Sequence, residues 1–334
     1  MTRCLITGLS GFVGSHLADY LLENTDWEIY GLIRWRSSLD NIQHLLPRIN
    51  NKDRIHLLYG DLRDSDSINE AIRQSLPNYV FHLAAQSYPK TSFTSPLDTY
   101  ETNVQGTSRV LEALRQYKKD AIIHVCSSSE VYGRVTRDKL PINEECGFMP
   151  ASPYAISKVG TDLIGRFYAE AYGMNVQVTR MGTHTGSRRG DVFHESSFAK
   201  QIAMIEAGQI PPVVKVGNLD SIRTYADVRD AVLAYHMLLT INPIPGAYYN
   251  IAGNYVCKVG YCLNYLLSLS TRKDIRIEVD PERLRPIDAD NQVFCTEKFK
   301  KHTNWEPIIP FEKTMKDLLE WWRCQVKNSS YLTR

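Results

Sequence analysis

The chain has 334 residues, 43% apolar and 23% charged, with a formal net charge of +2. That mix suits one globular core or two joined lobes, and so small a net charge excludes a global field for nucleic acid or a membrane surface, leaving anionic ligands to local cations. The seven cysteines are scattered, with no CxxC pair and no metal-type spacing, and no apolar run is long enough for a secretion signal or a bilayer span. The expectations are therefore reduced thiols, a cytoplasmic setting, no metal, and neither a nucleic-acid nor a membrane partner.

Arg3–Thr7 reads as an apolar strand running into Gly8-x-x-Gly11-x-x-Gly14, and a helical pattern follows over Val13–Glu23. At a first strand–helix junction Gly8 permits a tight turn, Gly11 lets backbone N–H groups approach a pyrophosphate, and Gly14 allows helix and strand to pack closely. The second strand, Glu28–Ile33, ends on Arg34, Arg36, Ser37 and Ser38 rather than on an acidic residue. Two cations and two hydroxyls suit the 2′-phosphate of NADP; the plain alternative is a solvated basic loop. Asp61 and Leu62 follow the third strand, Ile55–Tyr59; Asp61 is placed to accept from an adenine amino group or to cap the helix predicted over Ser67–Gln74. The fourth strand, Tyr79–Leu83, ends on Leu83, Ala84 and Ala85, small enough for a cofactor to lie against backbone.

A helix is predicted over Asn103–Tyr117, a fifth strand over Ala121–Cys126, a long helix over Pro153–Tyr172 and a sixth strand over Asn175–Arg180. Repeated strand–helix alternation predicts an α/β fold, a doubly wound parallel Rossmann sheet. After Met181 the alternation stops, apart from one returning strand at Tyr248–Ala252, and Tyr255–Arg323 mixes helix with short strand. The predicted organisation is an NADP-binding domain over 1–180 plus about 226–254, with a smaller C-terminal substrate-binding lobe over 181–225 and 255–334. The polar tail Lys327–Arg334 is expected to fray.

Two segments carry chemistry. Ser128 and Glu130 stand in the serine-rich end of the fifth strand, and Tyr154 and Lys158 lie four apart, on one helical face. A cation near a phenol stabilises phenolate, so Tyr154 can serve as a base. In the second lobe Arg188, Arg189, Arg223 and Arg285 are candidates for a diphosphate, while His184 reads as a packed polar residue.

With these motifs, and with GLIRWRSS, AAQSYPKTSF, SSEVYG, THTGSRRGDVF and GNLDSIR, nearly the whole chain resembles an extended short-chain dehydrogenase/reductase. Within that family it is most similar to the GDP-mannose 4,6-dehydratases and the related GDP-4-keto-6-deoxymannose reductases. The resemblance implies Tyr154 as base, Lys158 as its orienting cation, Ser128 as hydrogen-bond partner of the reacting hydroxyl and Glu130 as a second acid/base. It also implies Phe12 and Val13 as cofactor contacts beside the glycines, with Tyr154 and Lys158 touching the cofactor too. Ser87, Thr183, Arg189, Arg223 and Arg285 are implied as substrate contacts, and a homodimer or homotetramer as the assembly. The chain departs from the dehydratase pattern at Ser128, usually threonine, in its glycine loop, at Thr183-His184-Thr185 in place of an Asn-His-Glu triplet, and at Thr224, usually aspartate. Three readings follow: a GDP-sugar 4,6-dehydratase, a carbon-4 reductase, dehydrogenase or epimerase, and an idle sugar-nucleotide-binding module. The presence of Tyr154, Lys158 and Glu130 together favours the first.

Overall fold

The computed structural model describes residues 1–287 and 289–328. In chain order the first part holds β1 (Arg3–Thr7), α1 (Phe12–Asn24), β2 (Glu28–Ile33), α2 (Leu46–Asn50), β3 (Ile55–Tyr59), α3 (Ser65–Ser75) and β4 (Tyr79–His82). Next come α4 (Pro89–Thr94), α5 (Pro96–Tyr100), α6 (Gly106–Tyr117), β5 (Ile122–Cys126), α7 (Pro153–Tyr172) and β6 (Asn175–Met181). They are followed by β7 (Thr183–Thr185), α8 (His194–Glu206), β8 (Val213–Val216), β9 (Ile222–Asp227), α9 (Val228–Thr240) and β10 (Tyr248–Ile251). The last are β11 (Tyr255–Lys258), α10 (Val259–Ser268), β12 (Arg276–Val279), β13 (Asn291–Gln292), α11 (Glu297–Thr303) and α12 (Phe311–Lys327).

Seven of these strands form one sheet in the order β10-β6-β5-β4-β1-β2-β3, each neighbouring pair parallel. The central strands are apolar on both faces, with Cys4, Leu5, Ile6, Val80 and Phe81 fully buried, because helices cover both sides. One face packs α1 and α9 through Leu17, Leu21, Ala231 and Leu238; the other packs α3 and α6 through Ile68, Ile72, Val110 and Leu114. Chain order reverses between β1 and β4, so a crevice opens at their carboxyl ends. Thr7 closes its floor: Oγ1 bonds His82 Nδ1 at 2.9 Å and accepts from the N–H groups of Leu83 and Ala84 at 3.1 Å each.

A second sheet, β11-β9-β13 with β7 also on β9, and a β8–β12 pair stand over this edge. Their core is separate, built from Phe198, Ile202, Leu263, Leu266, Met315 and Trp322 of α8, α10 and α12. Phe299 and Trp305 pack instead with the core of the large sheet, although they follow the lobe's strands in sequence.

Boundaries follow local chemistry. Ser152 caps α7 by accepting from Ala155 N at 3.0 Å, Pro153 occupies its first turn, and Gly173 ends it at φ 63°. The helix expected from Asn103 becomes α-helical at Gly106, because Glu101–Gln105 form a wider π-helical turn continuous with α5. The cap of α3 is Asp64, whose carboxylate accepts from Asp66 N and Ser67 N, which corrects the reading of Asp61 as a capping residue. Of the predicted polar tail, Lys327 ends α12, and residues 329–334 lie outside the described residues. Among the described residues no helix is long and apolar enough to cross a membrane, and all seven cysteines are free thiols.

Candidate active site

A cleft of about 670 Å³ runs along the carboxyl edge of the large sheet beneath the second lobe. Every residue selected from sequence for catalysis, cofactor or substrate except Arg188 lines it, from Gly8 and Arg34 at one end to Arg223 and Arg285 at the other.

At the first end β1 turns sharply into α1, with Gly8 at φ +77°. A Cβ on Gly14 would stand 2.3 Å from the Gly8 carbonyl oxygen, so only glycine lets the helix start this close to the strand. Gly11 is the N-cap of α1, no side chain caps it, and no acidic residue occupies the first turn. The helix therefore presents backbone donors and its positive dipole end to the cleft, a fit for a pyrophosphate. The side chains of Arg34 and Arg36 are exposed at the rim and make no hydrogen bond or salt bridge among the described residues. Two cations not committed to any carboxylate, beside Ser37, fit a further phosphate. Asp61, by contrast, is engaged: Arg63 grips both its oxygens, at 3.1 and 3.0 Å, and holds its carboxyl below the usual range. Across the cleft, Gly8 lies against Ala84, where an added Cβ would come 3.1 Å from the Ala84 Cα. The strip Leu83–Gln86 is fastened by Asn103, which accepts from Gln86 N at 2.8 Å and donates to Gln86 O and Ser157 Oγ at 3.0 and 2.9 Å. Nothing in the periodicity of residue 103 marked that role.

At the centre, Ser128, two residues beyond β5, caps the short turn Ser129–Tyr132, its hydroxyl accepting from Glu130 N at 3.2 Å. That turn is tied down by a buried chain: Tyr132 OH donates to Asn250 at 2.7 Å and receives Arg180 Nη1 at 2.9 Å, and Arg180 pairs with Asp162 at 2.8 Å. Tyr154 is buried on the first turn of α7, its N–H bonded to Ser92 Oγ at 3.0 Å. Burial pushes its phenol well above the ordinary value; Ser128's hydrogen bond and the charge of Arg189 oppose that rise without cancelling it, and the charges of Cys126 and Glu130 add to it. Sequence pointed to Lys158 as the nearby cation. Its Nζ does lie 6.0 Å from the Tyr154 ring centre, but it donates to the Cys126 carbonyl at 2.7 Å. Burial lowers that ammonium. Glu130 accepts from Gln292 Nε2 of the second lobe at 2.9 Å, a partner that sequence reasoning missed.

At the far end, arginines from three separated segments converge. His194 is pushed down to about 4, first by burial and further by the charges of Arg223, Arg285 and Arg189. Arg189 stacks 3.5 Å from the Phe193 ring centre and pairs with the buried carboxylate of Glu195 at 3.4 Å. His194 bonds Tyr225 OH at 2.7 Å and faces Glu195 at 3.2 Å. Neither Glu195 nor His194 was singled out in sequence. Arg188 does not join this group: at φ +68° its side chain turns away to Asp19 of α1, 2.7 Å distant. His184 is packed, stacked on Phe12 and bonded to the Gly182 carbonyl at 3.1 Å. Thr183 and Ser87 line the same cleft.

Comparison with known proteins adds family and fold. The family of GDP-mannose 4,6 dehydratases matches over residues 5–318. A GDP-mannose 4,6 dehydratase of Drosophila melanogaster is 30% identical, covering 95% of this chain and 85% of that protein. A GDP-6-deoxy-D-mannose reductase of Pseudomonas aeruginosa is likewise 30% identical, covering 97% and 98%. The structure of RMD from Pseudomonas aeruginosa complexed with NADPH superposes with a TM-score of 0.81 at 28% identity, covering 97% of this chain and all of that one.

Proposed function

The chain belongs to the GDP-mannose 4,6-dehydratase family, and from that premise we propose that it is an NADP-dependent nucleotide-sugar dehydratase. Its substrate is GDP-mannose, or a close GDP-sugar, and its product the 4-keto-6-deoxy sugar. The observation that carries the reading is that a buried phenol, Tyr154, and a carboxylate, Glu130, face one cleft whose far end gathers Arg189, Arg223 and Arg285.

The glycine turn, the open N-terminus of α1 and the pair Arg34 and Arg36 would hold NADP, with Phe12, Val13, Asp61, Leu62 and Leu83–Ala85 along its length. When bound, its nicotinamide would accept the hydride of carbon 4 and return it at carbon 6. Tyr154 takes the proton of the 4-hydroxyl, helped by Ser128 and by the charge of Arg189. The ketone so formed acidifies carbon 5. Glu130 takes that proton and passes it to the departing carbon-6 hydroxyl, which leaves as water; once carbon 6 is reduced, a solvent proton is added to carbon 5, and Tyr154 releases the 4-hydroxyl proton to solvent. Tyr154, buried, keeps bulk water from the centre, and the second lobe covers the sugar end. The arginines meet the diphosphate.

A carbon-4 reductase is the second reading, favoured by the reductase relative of equal identity. It requires Tyr154 and has no need of a base at carbon 5. Glu130→Gln separates the two. The dehydratase reading expects water loss to fall by roughly 10²–10⁴-fold while oxidation at carbon 4 persists. A variant that eliminates water at the wild-type rate makes Glu130 structural and the reductase the better reading.

The assembly we propose is a homodimer or a dimer of dimers through α7. Ile156, Leu163 and Phe167 on that helix are about half exposed, and Leu97 of α5 is 79% exposed nearby. The apolar residues of α6, by contrast, are core. Light scattering at micromolar concentration should give at least twice the chain mass; a monomer contradicts it.

A further inference from the structure

We infer that Gln292, in the second lobe, is a positioning residue that fixes the Glu130 carboxylate for its work at carbon 5. The inference rests on the reading of Glu130 just given. Gln292 is 3% exposed, and its Nε2 donates to Glu130 Oε1 at 2.9 Å across the boundary between the two sheets. The side chain has little freedom to choose another partner, because its backbone is held on both sides. The Gln292 carbonyl accepts from Thr224 Oγ1 at 2.8 Å, and the Ala289 carbonyl accepts from Arg223 Nη1 at 2.7 Å. Beyond it, Ile142 N donates to Val293 O at 2.7 Å and Cys295 N to Ile142 O at 2.8 Å, clamping the strand to the large domain. Gln292 also stands opposite Arg223 in the β13–β9 register.

Thr224, a departure from the dehydratase pattern, thereby gains a role: its hydroxyl sets the backbone from which Gln292 reaches the acid/base. The same strand pair carries an arginine of the diphosphate end and the amide that orients the carboxylate. A carboxylate with one oxygen fixed by an amide donor keeps the other free for the proton of carbon 5. Without the donor it samples several rotamers, and few of them reach that proton.

The test uses two variants of equal length, Gln292→Met and Gln292→Glu, assayed on GDP-mannose and on GDP-mannose deuterated at carbon 5. The first removes the donor; the second sets a carboxylate against Glu130. Both should lower kcat by about tenfold or more, the effect of losing a hydrogen bond to a charged group, with KM and the dissociation constant for GDP unchanged. The isotope effect of the carbon-5 deuterium should grow, because the step served by Glu130 becomes the slow one. Wild-type kcat in both variants overturns the inference. So does a fall in kcat that comes with lost GDP affinity and no larger isotope effect, which marks Gln292 as a prop of the lobe. Glu130→Gln run in parallel separates the two claims. If it is inactive while the Gln292 variants are unimpaired, only the inference fails; if it is fully active, the role of Glu130 fails and that of Gln292 with it.

Discussion

The two ends of the cleft are built by different means. The cofactor end is made of consecutive strand ends, β1 to β4, and what it offers is mostly backbone: the Gly8 turn, the uncapped start of α1, the strip Leu83–Ala85. The substrate end rests on long side chains: Arg189, Glu195 and His194 hold one another, and Arg223, Arg285 and Gln292 join them from distant segments. Backbone sites tolerate loss of a side chain and fail on gain of one. Side-chain sites behave in the opposite way, because each charge removed strands its partner.

Tyr154→Phe bears on the junction of the two ends and should have the largest effect. Removing the hydroxyl should lower turnover by roughly 10²–10⁴-fold, with NADP and GDP affinities intact by calorimetry. At the substrate end, Glu195→Ala leaves the buried Arg189 guanidinium uncompensated. Denaturant unfolding should show a loss of about 3–5 kcal/mol, and a loss under about 1 kcal/mol would mean that the pair is solvated. At the cofactor end, Arg34→Ala with Arg36→Ala should weaken NADP by roughly ten- to a hundredfold, leaving NAD affinity and stability unchanged. Equal affinity of the wild-type protein for both cofactors contradicts that assignment.

A further expected effect is on stability against pH. His82 and His124, under the cofactor end, are pushed down to about 3 by burial, and His184 and His194, at the substrate end, to about 4. In the unfolded chain histidine titrates near ~6.5, so below that pH the unfolded state binds more protons. Their contribution is complete above about pH 6.5 and is lost as pH falls toward 4 and then 3. The urea midpoint should be flat from neutral to mildly basic pH and should decline below about 6.5. A midpoint unchanged down to about pH 5 contradicts the buried neutral histidines.

The same contrast decides what could be read from sequence. A parallel sheet writes itself as short apolar runs between helical periods, and all seven of its strands were legible to within one residue at their ends. Glycines at a strand–helix junction and a Tyr–Lys pair four apart are local signals, and both sets line the same cleft. The π-helical turn at Glu101–Gln105 and the short helices behind Pro89 and Pro96 have no such period. Arg189, Arg223 and Arg285 were found through family likeness. Their companions were not, because Glu195 acts through Arg189, His194 through Tyr225 and the charges around it, and Gln292 through Glu130, 162 positions away, none of them a local periodic signal. Arg188 shows the reverse failure: beside Arg189 in sequence, it is sent to Asp19 by one left-handed residue conformation.

The central claim is that one cleft holds a base for the 4-hydroxyl and another for carbon 5, so that water is lost with no net oxidation. Its most direct test is GDP-mannose incubated with the protein in heavy water, with no reductant supplied, and the sugar product weighed by mass spectrometry. The account predicts the loss of one water and the gain of one solvent deuterium at carbon 5. Unchanged sugar, or a product that forms only when NADPH is consumed, would contradict it.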